Sequence, residues 1–272
     1  LEAHRATQYH LGLGRNTIVK ATLAYANQTR DYRIFEDFAF YMMKEACKKR
    51  ETSILNIPGK KYAFDSTTIP LCLATFPWAK FRSKKGGVKA HVLYDVEAQV
   101  PAFYTVTTAS KHDSTAMSSI TYEPNSYYIF DRAYDTFKEL YKIHLTGSYY
   151  VVRSKTNLKY KMVKWKRRMP KNVKKNGWLN YFSKWLKQHL NIKRFWGTTK
   201  NAVRIQISVA IITYCLVAIV HHDMQLKRST YEVLQILSIS LTDKTRLRDL
   251  FDKTIFNDVK ELDYPLFKGL FD

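Results

Sequence analysis

The sequence predicts an α/β fold: a mixed sheet flanked by helices, preceded by a helical N-terminal region. Three observations predict it. Short runs rich in aromatic and β-branched residues recur between residues 61 and 154. The first three follow one another, two of them at turn-length spacing, and so read as antiparallel. The later ones alternate with helical stretches, which read as crossovers in a sheet that becomes parallel.

Taken in order, residues 1–56 are helical in pattern. RNTIVKATLAYANQT suggests two short helices and a turn. A helix-turn-helix over 14–30 is the weaker reading, because many helical pairs look alike. DYRIFEDFAFYMMKEACKKR is a longer amphipathic helix, with Phe35, Phe38, Met42 and Ala46 as its core stripe. YAFDS (62–66) is the first strand, ending at its acid. AHVLYDVE (90–97) and VPAFYTVTTAS (100–110) form a hairpin turning near Ala98 and Gln99. HDSTAMSSI (112–120) starts a helix capped by Asp113 or Ser114. YYIFDR (127–132) is the fourth strand. TFKELYKIHL is a helix capped by Asp135 and stopped by Gly147, and SYYVVRS (148–154) is the fifth strand. ISVAIITYCLVAIV (207–220) is 14 residues long, short for a membrane span, and reads as a buried core helix. The expected divisions are 1–56 (helical, with a DNA-binding role open), 57–222 (the sheet and its helices, with a shortened stretch near 155–178) and 223–272 (helical tail).

Charge narrows the function. Lys and Arg total 45 against 23 acids, a net +22 over 272 residues. Such a balance points to an anionic polymer or membrane surface. From Leu140 to His222 there are 18 Lys and Arg and no Asp or Glu, with Trp165, Trp178, Trp185, Tyr181 and Trp196 interleaved. Phosphate neutralisation with base stacking is the natural use of that mixture. For Trp185, packing on the core is preferred. The cysteines, Cys47, Cys72 and Cys215, match no zinc or redox spacing and suggest a reduced, cytoplasmic setting. The chain begins at Leu1 without a Met, which reads as a fragment.

KYAFDSTTI (61–69) and YYIFDRAYD (127–135) share a form: an apolar aromatic run, then an acid. Asp65 and Asp131 stand 66 positions apart. A single acid there is ordinarily a turn residue or helix cap. Two, on strands able to lie side by side, would face each other and need a cation. Mg²⁺ suits two such carboxylates, and the combination favours metal-assisted phosphoryl transfer on nucleic acid.

With these residues in view, the sequence resembles the transposases of the IS4 group of insertion sequences. The matching text is FDSTTIPLCLATFPWAKFR, KGGVKAHVLYD, HDSTAM, IFDRAYDTFKELYKIH and WLKQHLNIKRFWGTTKNAVRIQI. The resemblance runs to about residue 250 and implies a ribonuclease H-like catalytic domain with two Asp and one Glu. It implies Asp65 and Asp131 as the catalytic, metal-binding acids, with Mg²⁺ or Mn²⁺, two ions in an intact member. It also implies DNA partners (element ends and target), a homodimer on DNA, and phosphate contacts by Lys187. Lys184, Arg132 and Lys193 are further candidates for the DNA face.

The chain departs from the family pattern in one segment. Counting back from Lys187, the position of the family's Glu holds Asn180, its Arg position Asn176 and its Tyr position Val173. SKTNLKYKMVKWKRRMPKNVKKNG stands where the family has a strand-rich insertion, which reads as an internal deletion. The expectation is therefore a transposase with impaired cleavage. The alternative is a non-catalytic DNA-binding remnant of the same family. A nuclease on the same fold is a further class, since fold alone does not select substrate.

Overall fold

The computed structural model describes residues 19–50, 57–153, 192, 195–240 and 245–253. Helices α1 (Lys20–Thr29) and α2 (Tyr32–Lys49) come first. Asp31 caps α2, its carboxylate accepting the Arg33 N–H at 2.9 Å, and Lys48 and Lys49 close its last turn against the helix dipole. The buried stripe is Ala39, Met42, Met43 and Ala46. Phe38, expected in that stripe, is 47% exposed and stacks on Tyr41 instead. It lies on the flank of the arc that Ala39, Met43 and Ala46 centre.

Six described strands form one sheet: β1 (Lys61–Leu71), β2 (Lys80–Arg82), β3 (Lys85–Asp95), β4 (Val100–Thr108), β5 (Tyr127–Phe130) and β6 (Tyr149–Val152). The order is β2-β3-β1-β5-β6, with β4 also paired to β3. β1, β3 and β4 are antiparallel; β1, β5 and β6 are parallel. The predicted β-β-β-α-β-α-β order holds, with the short β2 added. The first predicted helix is a 3₁₀ segment, Asp113–Ser119, and its N-cap is His112, not Asp113 or Ser114. The second, α3 (Phe137–Leu145), has Thr136 at its N-cap with no side-chain cap bond, so Asp135 does not cap it. Gly147 does terminate it, at φ +70° with its N–H on the His144 carbonyl. The β3–β4 turn sits where expected, with Gln99 at positive φ.

One sheet face is covered by α2 and α4 (Lys200–Asp223), around Ala63, Ile69, Val92, Val203 and Ile207. α4 is long and apolar enough to cross a bilayer by length and composition, but 67% of its apolar window is buried here, so it serves as the core helix foreseen. Asn201 fixes its start, donating to the Asn27 and Arg30 carbonyls at 2.9 and 2.6 Å and accepting the Tyr32 N–H. The other face packs Tyr62, Phe64, Leu93, Tyr128, Phe130 and Tyr134 against Met117, Leu140 and Ile143. Helices α5 (Thr230–Ser240) and α6 (Leu247–Lys253) follow α4.

Candidate active site

β1 does not stop at its acid. Its β-branched continuation, Thr67, Thr68 and Ile69, keeps it paired with β3 as far as Leu71. What stops near Asp65 is the parallel pairing with β5, whose last register pair is Phe64 with Phe130. Asp65 and Asp131 therefore take the next matching positions on strands about 4.8 Å apart. Asp65 is half-buried and Asp131 exposed. Each is steadied by the N–H that follows it: Ser66 donates to Asp65 Oδ1 at 2.8 Å, and Arg132 to Asp131 Oδ1 at 2.7 Å. Asp131 also caps the 3₁₀ turn Arg132–Tyr134, so the cap and the acid are one residue.

Strand alternation puts Ser66 on the face opposite Asp65. Behind the strand lies a polar group that sequence reasoning missed. Ser66 Oγ donates to Asp113 Oδ1 at 3.0 Å, and Lys89 Nζ meets the same oxygen at 3.0 Å. His91, cross-strand partner of Ser66, is fully buried, bonds Thr107 Oγ1 through Nε2 at 2.9 Å, and places Nδ1 3.9 Å from Asp113. Burial drives His91 down to about 4, against the pull of the Asp113 carboxylate and with a push from Lys89. The sequence signal is HDSTAM, in which local pattern explains Asp113 as a cap alone.

Tyr134 packs on the same face as Ser66. Its ring packs on Phe64 at 4.9 Å and on Phe130 at 6.4 Å. Burial pushes its hydroxyl pKa upward, opposed by neighbouring Ser66 and reinforced by the charges of Asp113, Asp65 and Asp131. One buried hydroxyl thus lies within electrostatic reach of three carboxylates drawn from three separate segments.

Do these residues fit a divalent ion? Among the described residues, no three His, Cys, Asp or Glu side chains stand close enough to hold one unaided. Two carboxylates at matched positions, one of them open to solvent, do fit Mg²⁺, which keeps several waters and is completed by substrate phosphate. Arg132 is half-buried beside Asp131, and no described acid lies within 4.0 Å of its guanidinium. Asn180, Lys184, Lys187 and Lys193, with Asn176, Val173, Trp165, Trp178 and Trp185, lie outside the described residues. The structure thus brings Asp65, Asp131 and Arg132 together.

A second feature is visible only in the fold. Past Asp65, β1, β3 and β2 form a ribbon in which Lys80, Arg82, Lys84 and Lys85 are exposed. No Asp or Glu occurs from Ser66 to Tyr94.

The model of the transposase DDE domain family matches residues 58–216, from just before β1 into α4. The chain belongs to this family. Its sheet order, with a mixed sheet flanked by helices, is that of the ribonuclease H-like fold expected for a DDE transposase. Across an alignment of 242 residues the chain is 25% identical to the putative transposase y4zB of Sinorhizobium fredii (strain NBRC 101917 / NGR234), covering 68% of this chain and 67% of that protein. Across 245 residues it is 25% identical to the probable transposase for insertion sequence element IS5377 of Geobacillus stearothermophilus, covering 71% and 64%. The DDE-domain chain thus spans about two thirds of the length of these relatives. No solved structure matches it.

Proposed function

We propose that the chain acts on DNA as an insertion-sequence transposase of the IS4 group, with its cleavage step impaired. The observation that carries the reading is the matched placement of Asp65 and Asp131 on neighbouring parallel strands. Bound there, Mg²⁺ or Mn²⁺ supplies Lewis-acid stabilisation of charge on the phosphodiester oxygens. The chain's own residues do the rest. Asp65 and Asp131 present carboxylate oxygens held by the following backbone N–H groups. Arg132 offers its guanidinium to a phosphate oxygen next to them. Lys187, Lys184 and Lys193 are proposed as further phosphate contacts on the strength of the family resemblance, as is a dimer that holds two DNA ends.

The impairment follows from Asn180. An amide oxygen can touch a divalent ion but does not bring the negative charge that completes a three-acid site. The reaction proposed for an intact member is hydrolysis of a phosphodiester at the element end, freeing a 3′-hydroxyl that attacks a second strand. The same observation favours a second reading, a DNA-binding remnant that competes for element ends without cutting them.

The test is a gel shift beside a nicking assay, both on duplex carrying the element end. Salt-dependent binding without Mg²⁺-dependent nicking is expected, and Asn180→Glu alone restores no cleavage, because Val173 and Asn176 also depart from the family pattern. Nicking that Asp65→Asn abolishes would overturn the impairment and leave the transposase reading standing.

A further inference from the structure

We infer that the ribbon running past Asp65 is a cradle for duplex DNA flanking the reacting phosphodiester, with Lys80, Arg82, Lys84 and Lys85 as its phosphate contacts. This rests on the transposase reading and adds where the duplex lies. None of the four residues was a candidate from sequence, because their meaning depends on the fold.

Direction comes first. β1 continues from Asp65 to Leu71, and β3 pairs with it throughout that stretch. Six residues of strand at about 3.3 Å each extend about 20 Å, the rise of about six base pairs of duplex. Anything long bound at Asp65 and directed along β1 therefore meets the ribbon. β2 closes the far end, with Lys80 opposite Gly86 and Arg82 opposite Lys85, and Ser83 and Lys84 forming the turn.

Charge comes second. The four side chains are exposed, and none has an acid within 4.0 Å among the described residues. Arg82 lies over the Phe81 ring at 5.1 Å, a contact that restrains its side chain. Lys89, the next cation along β3, is already neutralised by Asp113. At the opposite end of β1 the cations are mostly paired: Lys61 meets Glu97, Lys60 lies 3.9 Å from Glu123, and Lys48 and Lys49 meet Glu45 and Asp223. A polyanion crossing Asp65 thus finds its uncompensated cations toward Leu71.

Four exposed cations with no acid within 4.0 Å among the described residues gather at the far end of that ribbon, about 20 Å from Asp65, and match phosphates about six base pairs from the reacting bond. The two-residue turn carries little apolar surface for a protein partner, so the occupant is nucleic acid.

The experiment is fluorescence anisotropy with a labelled duplex of about 25 base pairs, long enough to pass both ends of β1, titrated between about 50 and 200 mM KCl. The wild-type chain is compared with the ribbon variant Lys80→Ala, Arg82→Ala, Lys84→Ala, Lys85→Ala. An equal-charge control carries Lys44→Ala, Lys48→Ala, Lys49→Ala and Lys60→Ala, all exposed and toward the other end of β1. The ribbon variant is expected to lose about 3 to 4 from the slope of log affinity against log salt, and the control less than about 1. Arg82→Glu, a single exposed change, should lower the slope by about 1 to 2 and guards against misfolding of the fourfold variant. An unchanged slope in the ribbon variants, or an equal loss in the control, overturns the inference while the transposase reading stands. A wild-type chain that binds no duplex contradicts the transposase reading itself.

Discussion

At the start of β1, Lys61 is 4% exposed and its ammonium meets Glu97 at 2.7 Å and the Ile57 carbonyl. Asp95, opposite Tyr62 on β3, accepts the Glu97 and Ala98 N–H groups at 3.0 Å each. Burial still pushes its carboxyl pKa up against those bonds. Four residues along the same strand, Asp65 and Asp131 stand side by side, and no described cation lies within 4.0 Å of Asp131. The first end is electrostatically closed, and the second is open at the exposed Asp131. A strand end built for stability pairs its charges; an exposed carboxylate beside a second one can hold something else.

The largest effect is expected at the closed end. Lys61→Met leaves Glu97 without its buried partner and should cost about 3–5 kcal/mol in urea unfolding at neutral pH. A loss below about 1 kcal/mol would mean that this pair is not what seals the strand.

The next effect is the pH response of the polar group behind the open end. His91 is held near 4 against its ordinary 6.5, by burial first. Between those values the unfolded chain binds a proton that the folded chain refuses. Stability therefore falls as pH drops from about 6.5 to about 4, by about 3 kcal/mol in total from this group. In His91→Gln, which can keep a bond to Thr107, that component of the pH slope should vanish. An unchanged slope would place the acid sensitivity elsewhere.

Asp113→Ala should cost about 1–3 kcal/mol, because Ser66 and Lys89 lose their shared acceptor. Asp113→Asn, which retains an oxygen for both, should recover much of that loss. If the two variants behave alike, hydrogen bonding is not what holds this segment to β1.

The smallest effect belongs to the open end. Asp131→Asn still caps the Arg132–Tyr134 turn and removes one of two facing charges, so stability should change by less than about 0.5 kcal/mol. A large loss would make Asp131 a structural residue and erase the contrast.

Much of the fold was legible because periodicity and turn residues carried it: the β3–β4 hairpin, Gly147 at positive φ, and the apolar helix containing residues 207–220. The pairing of β1 with β5 was legible as a possibility from two similar runs ending in acids. What stayed hidden was non-local. That β1 runs on past Asp65 depends on β3 lying beside it, which Thr67 and Thr68 alone do not announce. Asp113 looked like a cap because capping is the local use of an Asp before a helix; its bonds to Ser66 and Lys89 cross 47 and 24 positions of sequence. His91 gave no signal at all, since a buried imidazole within an apolar run looks like any strand residue. The departure at Asn180 was legible only through the family resemblance.

Asp65 and Asp131 are proposed to share one divalent ion. Crystals soaked in Mn²⁺ and measured for anomalous scattering test it directly. A peak is expected between the two carboxylates and should disappear in Asp65→Asn crystals. A peak elsewhere that survives that substitution, or carboxylates turned to opposite sides of the sheet, would contradict it.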